Sequence, residues 1–576
     1  MGRCIWRPTG WPAWLWCFVA IGVPPGECGG APPLAERLAH LPWEFSRLGE
    51  EDLAAAVPYL QRVRAAGFTG VVLDNTSQIA LPRRAPEGCL DRLRRLGEEA
   101  RALGLDVIAT VMNFGDGGAV LAQEPNLAEG LPVRDALFVV AGSEARLVPD
   151  QPPLVENPGF ELPEGDSFPG WRDDLGLAGT AVFADSRVRH GGAHSLRISF
   201  SHSPKPYGWA WISQELRVTP FRLYRVRFWV KTEGLHPERV VKVSVWTGQR
   251  HLHYGGVGVA PTQDWKCHDL VFNSLDNSRV VLRVGSDSGE AQGTAWFDDV
   301  SVEEIGLLNV LRRPGCPLVV RGEDGTVYTE GEDFEPVADP LLGRLYPWGG
   351  FSFSHEPPPI RLTPGSRLTE GQRVRVSFYH AIAVEAGQVS LCLSCDRAYE
   401  IFAEGIDALE EVLHPAGYHI VMGEIRVANW DESCANRHLK PADLLVDSIR
   451  RCMNIIRQRN PGARIYAWSD MLDPWHNGVD NYYLCNGSWS GAAQSVPRDL
   501  IIVNWNYQSH DGQSPRFFAG LGFQQLMLGR GRDVRTWLDA NSDLPGLRGV
   551  YAFGASSPED FTREVWDWVP EGDTIR

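Results

Sequence analysis

The chain has 576 residues, of which 43% are hydrophobic and 22% charged, and its formal net charge at pH 7 is −17. This length exceeds that of one ordinary domain and predicts two or three, while the hydrophobic fraction excludes disorder as the main state. The negative charge argues against nucleic acid or an anionic membrane surface as the main partner.

The first thirty residues have the layout of a secretory signal peptide. Arg3 and Arg7 precede an apolar run from Trp11 to Val23, and small residues and prolines follow it. The run is too short to span a membrane in the mature chain, and no later stretch has about 18 uninterrupted apolar residues. We expect residues 1–30 to direct secretion to the medium, the periplasm or the cell surface. A membrane anchor is the alternative.

Of the eleven cysteines, eight follow Cys28. An even number permits disulfides in an exported protein without requiring them. Cys392 and Cys395 form a CxxC pair, but no second pair at metal-binding spacing and no histidine cluster accompanies it. The pattern therefore does not predict a zinc site. We expect mostly buried thiols, with one or two disulfides at most.

Helices and strands alternate between residues 51 and 113. "EEDLAAAVPYLQRVRAAG" and "CLDRLRRLGEEARALG" carry apolar residues at helical spacing, and "FTGVVLDNT" and "LDVIATVMNFG" have the pattern of short strands. Such alternation predicts βα units and a parallel sheet.

Helical periodicity disappears between about residues 154 and 305. Short alternating segments such as "SLRISFS", "YRVRFWVKTEG" and "VVKVSVWTG" are separated by turn residues. They predict an antiparallel β-sandwich. Residues 306–345 are expected to form further short strands or a structured linker.

The βα pattern resumes after residue 370 and completes a count of eight strands, near residues 70, 106, 373, 418, 464, 500, 522 and 548. This count predicts an α/β fold, a (β/α)8 TIM barrel interrupted after its second strand by the antiparallel β-sandwich (jelly-roll) domain. The barrel is expected over 40–150 and 346–576, and the sandwich over 154–305. "LPWEFSR" at 41–47 is a ninth candidate strand, so the numbering of the strands is open by one.

The active site of such a barrel lies at the carboxyl ends of its strands. The residues expected there are carboxylates, amides and aromatics: Asp74, Asn113, Asp116, His380, Glu424, Arg426, Trp468, Asp470, Trp505 and Tyr551. Glycoside hydrolysis needs an acid for the leaving oxygen, a second carboxylate and flat rings that cover the sugar. The chain has no GxxxxGK[ST] phosphate loop, dinucleotide fingerprint or GxSxG elbow, so no cofactor is expected for catalysis.

Within residues 370–555, "YHIVMGEIR", "YAWSDMLDPWHN" and "IIVNWNY" resemble family 20 glycoside hydrolases, the β-N-acetylhexosaminidases. The resemblance implies that Glu424 is the general acid at the end of the fourth strand. It also implies that Trp468 and Trp505 line the sugar pocket, and Asp470 matches the acid of the family's Trp-x-Asp segment. The candidates for a second catalytic carboxylate are Asp470 and Asp74. Gly423 stands where the family has the Asp that orients the substrate acetamido group. This departure leaves open another sugar, another mechanism or no catalysis.

Within residues 154–305, "LVENPGFEL", "HGGAHSLRI" and "AWFDDVSVEE" resemble jelly-roll carbohydrate-binding modules of the family 4/9 kind. The resemblance implies a carbohydrate partner and a structural Ca²⁺ with Glu161 and Asp298 as side-chain ligands. Hard carboxylate oxygens are the donors that Ca²⁺ prefers. Four aromatic residues are candidates either to stack on sugar or to fill the core: Trp209, Trp211, Trp246 and Tyr254.

Each candidate residue also has a structural interpretation. Glu424 can be an ion-pair partner of Arg426, Asp470 a cap of the following turn, and Asp298 part of a solvated strand end. Trp468 and Trp505 can belong to the core, and His380 can be a structural residue. Asp74, Asn113, His380 and Tyr551 are candidates for sugar binding on their predicted position alone. The prediction is therefore a secreted glycoside hydrolase, and the alternative is a non-catalytic carbohydrate-binding or surface protein on a degenerate barrel. A structural or adhesion protein is the third hypothesis.

Overall fold

The computed structural model describes residues 34–553 apart from 42–48, 74–86, 238–239, 249, 288–289, 344–350, 386, 509, 530–535, 539 and 542. The predicted signal peptide and Asp74 lie outside the described residues. The described chain divides into two compact units, each treated by itself. The described residues of the barrel unit lie within 34–129 and 389–553, and those of the inserted unit lie within 130–388. No described helix is long and apolar enough to cross a membrane.

The first segment of the barrel unit alternates strands and helices, as predicted. Its elements are β1 (Glu36–His40), α1 (Glu50–Ala65), β2 (Gly70–Leu73), α2 (Cys89–Ala102), β3 (Asp106–Asn113) and α3 (Gly118–Gln123). The start of α1 shows why the sequence is helical there. Three acidic residues occupy its first turn, and the Asp52 carboxylate accepts the Gly49 N–H at 2.8 Å. Both features stabilise the amino end of a helix.

The described strands of the inserted unit form three antiparallel sheets. Its strands are β4 (Leu131–Ala141), β5 (Glu144–Leu147), β6 (Val182–Asp185), β7 (Ser195–Ser199), β8 (Ala210–Arg217), β9 (Leu223–His236), β10 (Lys242–Thr247), β11 (Arg250–Gly256), β12 (Gln263–Asn273), β13 (Arg279–Ser286), β14 (Gln292–Ile305), β15 (Val319–Gly322), β16 (Val327–Tyr328), β17 (Ile360–Arg361) and β18 (Arg373–His380). The sheet orders are β11-β10-β13-β8, β12-β9-β14-β7-β6 and β16-β15-β18-β4-β5-β17. The predicted antiparallel architecture of residues 154–305 corresponds to the first two sheets.

The prediction that the segment near residue 373 is a barrel strand is wrong. β18 pairs antiparallel with β4 and β15 in the six-stranded sheet of the inserted unit. Its side chains alternate between buried and less buried positions, as in a sheet that is covered on one face. The third sheet also draws on residues 131–147, so the inserted unit extends beyond the predicted sandwich on both sides.

The second segment of the barrel unit returns to alternating helices and strands. Its elements are α4 (Asp396–Val412), β19 (Gly417–Val421), β20 (Val427–Ala428), α5 (Glu432–Ala435), α6 (Pro441–Arg459), β21 (Arg464–Trp468), β22 (Leu484–Cys485), α7 (Ala492–Ser495), β23 (Leu500–Asn504), α8 (Gln513–Gly520), β24 (Gln524–Gly529) and β25 (Leu547–Ala552). In contrast to β18, every residue of β19 is buried.

Eight parallel strands close into a barrel in the order β1-β2-β3-β19-β21-β23-β24-β25. The predicted eight-stranded barrel is thus present, but its first strand is β1, upstream of the "LPWEFSR" candidate. The inserted unit consequently follows the third strand, β3, and not the second. β19 is still the fourth strand, because the count gains β1 and loses β18. The barrel interior is filled by apolar and aromatic side chains: Leu38, Val72, Ile108, Tyr466, Ile501, Val503, Leu526 and Tyr551.

The eight cysteines after residue 28 all lie in the described part of the chain, and all are free thiols. Cys267 is exposed, Cys395 is half-buried and the remaining six are buried. The expectation of mostly buried thiols is confirmed.

Candidate functional site

The candidate site lies at the carboxyl ends of β3, β19 and β21, which are neighbours in the barrel. The residues that follow these strands include Asp116, Glu424, Arg426 and Asp470. Three carboxyl groups and one guanidinium therefore come from three adjacent strand ends. This is the end of a parallel barrel at which active sites are built.

Glu424 is held in an unusual backbone conformation at the end of the fourth strand. Its φ angle is 53°, in the left-handed region, and its N–H donates to Asp470 Oδ2 at 2.8 Å. Its side chain is 26% exposed, and Arg426 Nη2, on a side chain that is 7% exposed, donates to Glu424 Oε1 at 2.9 Å. A left-handed non-glycine residue costs free energy and is typical of positions where function constrains the backbone. The Glu424 carboxylate thus combines a fixed backbone with access to solvent.

Asp470 is fully buried behind the Glu424 backbone. Its Oδ2 also accepts a hydrogen bond from Asn477 Nδ2 at 2.8 Å. Burial raises the pKa of Asp470 to about 6 and the charge of Glu424 adds to the rise, although the hydrogen bonds from Glu424 N–H, Asn477 and Trp505 oppose it. Asp470 therefore orients the loop that carries Glu424.

Asp116 is a third acid at this edge, where its predicted position after the strand near residue 106 puts it. Burial raises the pKa of its carboxyl, the Gly118 N–H lowers it, and the charges of Arg426 and Glu424 act on it in opposite directions. Asp116 is therefore close enough to the Glu424–Arg426 pair to respond to it. Asn113 stabilises the turn between β3 and Asp116, because its Oδ1 accepts hydrogen bonds from the N–H groups of Gly115 at 2.9 Å and Asp116 at 3.1 Å.

Two glycines allow the ends of β3 and β19 to approach each other. A Cβ on Gly115 would lie 1.8 Å from the Gly423 carbonyl oxygen. A Cβ on Gly423 would lie 3.1 Å from Asp470 Oδ1 and 3.3 Å from Trp468 Cδ1. The space beside residue 423 is therefore occupied by the Asp470 carboxylate. This explains in physical terms why an Asp does not fit there without rearrangement.

Aromatic side chains surround the acids. Trp468 is half-buried, its ring centroid lies 4.4 Å from that of His419, and it stacks at 6.0 Å on Tyr551. Trp505 is also half-buried and contacts His476 at 4.2 Å. Tyr551, in contrast, is 1% exposed and belongs to the barrel interior. Trp468 and Trp505 keep the exposure that a pocket wall requires, whereas Tyr551 packs against Trp468 from the barrel interior.

Sequence reasoning missed two tyrosines of the loop after β21. The Arg426 guanidinium lies 5.3 Å from the ring centroid of Tyr483, and Tyr482 packs edge-on against Tyr483 at 4.8 Å. Burial raises the pKa of Tyr482. The two tyrosines lie 14 and 15 positions beyond the end of β21, so their place in the sequence does not indicate that they lie near Arg426.

His380 does not belong to this site, because it ends β18 in the inserted unit. It is buried, its Nε2 lies 2.9 Å from Asn273 Nδ2, and burial lowers its pKa to about 4. The expectation that His380 lies on the barrel rim is therefore corrected. It is a structural residue of an antiparallel sheet.

Glu161 and Asp298 lie together in the inserted unit. Asp298 is fully buried, and its Oδ2 accepts the N–H groups of His190 at 2.9 Å and Gly191 at 3.2 Å. Glu161 Oε2 accepts the N–H of Ala193 at 2.6 Å. Burial raises the pKa of Asp298 to about 6. Both carboxylates thus approach one short loop, and their hard oxygen donors fit the chemistry of Ca²⁺.

The four-stranded sheet of the inserted unit carries an aromatic strip. The Arg283 guanidinium on β13 lies 5.3 Å from the ring centroid of Trp211 and 4.4 Å from that of Trp246. Trp246 packs edge-on against Tyr254 at 6.0 Å. The two tryptophans are partly exposed, whereas Tyr254 is buried. Trp211, Arg283 and Trp246 therefore form a continuous surface across three strands, which we call the tryptophan strip.

No protein-family model and no curated protein matches the chain. A solved rhamnosidase from Novosphingobium sp. PP1Y is 10% identical, with a TM-score of 0.30 over 91% of this chain and 55% of the rhamnosidase. An arabinose-bound α-L-arabinofuranosidase is 10% identical, with a TM-score of 0.22 over 70% of this chain and 71% of its own. The CBM22-1 xylan-binding domain from Paenibacillus barcinonensis is 17% identical, with a TM-score of 0.18 over 25% of this chain and 90% of its own. These similar structures are glycoside hydrolases and a carbohydrate-binding module, and the similarity to each is low.

Proposed function

We propose that the protein is a secreted glycoside hydrolase and that Glu424 is its general acid. The observation that carries the proposal is a partly exposed carboxylate on a constrained backbone at the end of the fourth barrel strand, with two further acids and an arginine beside it. Cleavage of a glycosidic bond requires one carboxyl group that protonates the leaving oxygen and a second that assists attack on the sugar.

The surroundings of the three acids suit different roles in the reaction. Asp470 is turned toward the Glu424 backbone and Asn477, which suits a positioning residue. Asp116 comes from the neighbouring strand end and responds to the charges of Glu424 and Arg426. In this proposal Asp116 is the second carboxyl group, and the half-buried Trp468 and Trp505 cover the sugar ring.

Arg426 has to change partner during the reaction. Its Nη2 donates to Glu424 Oε1, whereas the carboxyl group of a general acid has to be free to reach the leaving oxygen. We expect a sugar hydroxyl to take over the Arg426 hydrogen bond when substrate binds, which frees Glu424 for the leaving oxygen.

The same ion pair favours the second candidate function. If Arg426 stays on Glu424 in the presence of sugar, the barrel is a non-catalytic carbohydrate-binding scaffold. Gly423, in place of the Asp of family 20 hydrolases, argues in both cases against assistance by a substrate acetamido group.

The test compares the full-length protein with Glu424→Gln on a panel of aryl glycosides and polysaccharides. Released sugar should fall by about 10²-fold or more in the variant, the scale expected for loss of a general acid. Glu432→Gln, an exposed glutamate eight positions further along the chain at the start of α5, is the matched control and should retain activity. Equal activity in the parent and Glu424→Gln would refute the assignment, and an inactive parent that binds sugar would favour the non-catalytic candidate.

We further propose that the inserted unit is a jelly-roll module that binds carbohydrate through the tryptophan strip. Flat indole faces next to a guanidinium suit both the apolar face and the hydroxyls of a sugar. Trp246→Ala should reduce retention of the protein on an insoluble polysaccharide. Trp265→Ala, a half-buried tryptophan on the five-stranded sheet, should not. Equal retention of the two variants would exclude the strip.

A structural Ca²⁺ held by Glu161 and Asp298 is the last part of the proposal. Both carboxylates accept N–H groups of the loop at residues 190–193. A Ca²⁺ bound between them would stabilise that loop further. Added Ca²⁺ should raise the melting temperature of the parent and leave that of Asp298→Asn unchanged.

The proposed secretion is checked by sequencing the amino terminus of the exported protein, which should begin near residue 30.

A further inference from the structure

Four side chains that the proposed hydrolysis does not use meet inside the barrel unit: Glu129, Cys392, Asp431 and Cys434. One donor atom from each residue lies within 4.8 Å of the donor atoms of the others. All four are buried, and Glu129, the most exposed of them, is 2% exposed. Among the described residues, these four thiol and carboxyl side chains lie close enough together to share a metal ion. We call it the Cys–acid cluster.

The backbone holds the members of the cluster in place. Asp431 caps α5, and its Oδ1 accepts the Cys434 N–H at 3.1 Å. Glu129 Oε1 accepts the Trp430 N–H at 2.7 Å. The Cys392 N–H donates to the Leu127 carbonyl at 2.9 Å, which joins the segments on either side of the inserted unit. The donor atoms are therefore positioned by hydrogen bonds that do not depend on an ion.

Three of the six distances between the donors match edges of a small tetrahedron, and the other pairs lie within 4.8 Å. Cys392 Sγ lies 3.5 Å from Cys434 Sγ and 3.6 Å from Asp431 Oδ1, and Cys434 Sγ lies 3.4 Å from Glu129 Oε2. Around a zinc ion with Zn–S bonds of about 2.3 Å and Zn–O bonds of about 2.0 Å, two sulfurs are separated by about 3.8 Å and a sulfur and an oxygen by about 3.5 Å. The observed edges agree with these values to a few tenths of an ångström.

The chemistry of the donors selects the ion. Thiolates favour Zn²⁺ and other soft or borderline metals over Ca²⁺ and Mg²⁺, and carboxylate oxygens complete many zinc sites. Four acidic groups in contact in a buried site repel one another when ionised, and a divalent cation removes that repulsion. With all four ligands ionised, the site has the same formal charge as the Cys4 zinc sites of other proteins.

We propose that Glu129, Cys392, Asp431 and Cys434 form a structural Zn²⁺ site. The protein supplies all four positions, which is the arrangement of a structural site and leaves none for a reacting water. The ion would tie the loop after β19, which carries Glu424, to the two segments that flank the inserted unit. Binding releases the thiol protons to solvent, as in other thiolate sites.

The first experiment measures zinc in the purified full-length protein, prepared without chelator and without added metal. After the protein is unfolded, about one zinc ion per chain should be released to a chromogenic chelator. Cys392→Ser and Cys434→Ser should lower that ratio at least fivefold. Cys395→Ser, a half-buried cysteine three positions from Cys392, is the matched control and should keep it.

A second measurement does not depend on the folding of the variants. The parent, stripped of metal and supplied with Co²⁺, should develop a thiolate-to-cobalt charge-transfer absorption that added Zn²⁺ abolishes. Peptide mapping without reductant should recover Cys392 and Cys434 as separate alkylated thiols. A disulfide-linked Cys392–Cys434 peptide, or a reduced parent that takes up neither Zn²⁺ nor Co²⁺, would overturn the proposal.

Discussion

Asp470 affects both the stability of the folded protein and the position of Glu424. It is fully buried, and its carboxylate connects the Glu424 backbone to Asn477. A carboxylate in that setting helps to maintain the left-handed conformation of Glu424, but its own charge is costly to bury.

This cost predicts a pH dependence of stability. The pKa of Asp470 is about 6 in the folded protein, against about 3.9 for an unfolded chain. Between those values the unfolded chain releases a proton that the folded chain retains. The Asp470 contribution to the free energy of unfolding therefore falls as the pH rises from about 4 to about 6, by about 1–3 kcal/mol. Asp470→Asn should remove that part of the slope in urea unfolding measured at pH 4 and pH 6.5.

The exposed Asp91 of α2 provides the control, and Asp91→Asn should keep the slope of the parent. An Asp470→Asn variant whose stability changes with pH as steeply as that of the parent would contradict the assignment of the shift to Asp470.

Gly115 gives a second prediction at the residue scale. A Cβ at this position would lie 1.8 Å from the Gly423 carbonyl oxygen, and a backbone atom cannot move aside as a flexible side chain can. Gly115→Ala should cost about 1–3 kcal/mol or more of stability and should lower Glu424-dependent activity. Gly520→Ala lies at an exposed position of α8 where an added Cβ would meet no atom of another segment within 4 Å. It should be neutral or slightly stabilising when both variants are compared by thermal unfolding. Equal effects of the two substitutions would show that the ends of β3 and β19 can separate freely.

At the scale of the elements, Glu36 joins three barrel strands. This buried carboxylate on β1 accepts Arg464 Nη1 and Tyr466 Oη of β21 at 2.7 and 2.9 Å, and Arg548 Nε of β25 at 2.7 Å. β1, β21 and β25 are thus joined by one charged side chain, in addition to the backbone pairing of β1 with β25 that closes the barrel.

Breaking this group should destabilise the barrel strongly. Glu36→Gln leaves two guanidinium groups without their shared charge and should lower the free energy of unfolding by about 2–4 kcal/mol. Glu50→Gln, which breaks an exposed pair with Arg95, should cost less than about 1 kcal/mol. Urea unfolding followed by circular dichroism distinguishes the two. A loss at Glu36 as small as that at Glu50 would mean that the buried group adds no net stability.

The sequence predicted the barrel more accurately than it predicted the position of single strands. The continuous apolar run of β19 and the helical spacing of α4 and α6 are local patterns, and they led to the eight-stranded barrel with Glu424 at its fourth strand end. The helix that follows β18 favours a place in the barrel for this strand, although its alternating burial is that of a half-covered antiparallel strand. Alternation was the stronger indicator, because it reflects which faces are covered, whereas order along the chain does not.

The composition of the site was less predictable than its location. Glu424, Asp470 and Trp468 come together because parallel strand ends share one edge, which a strand count can anticipate. The Cys–acid cluster could not be found in this way. The sequence pairs Cys392 with Cys395 in a CxxC motif, whereas its partners in space are Cys434, 42 residues away, and Glu129, which is further away along the chain. Ligand spacing in sequence indicates a metal site only when the ligands share a local segment.

At the scale of the whole molecule, the described residues of the inserted unit all lie between residues 130 and 388, whereas those of the barrel unit lie before and after them. Where the chain leaves the barrel unit and returns to it, the Glu129 N–H donates to the Ser390 carbonyl at 2.8 Å. The two ends of the interruption are therefore adjacent, and each unit has its own core. An insertion with adjacent ends can in general be removed without stretching the host fold.

This geometry predicts that residues 130–388 can be replaced by a short Gly–Ser linker between Glu129 and Val389. The shortened protein should unfold cooperatively, keep the activity on small aryl glycosides that depends on Glu424, and lose retention on insoluble polysaccharide. The excised segment should fold alone, because its three sheets are paired internally. Circular dichroism and thermal unfolding of both proteins provide the measurement. If residues 130–388 fold but the shortened barrel does not, the barrel depends on the inserted unit for stability, and the two units are not thermodynamically independent.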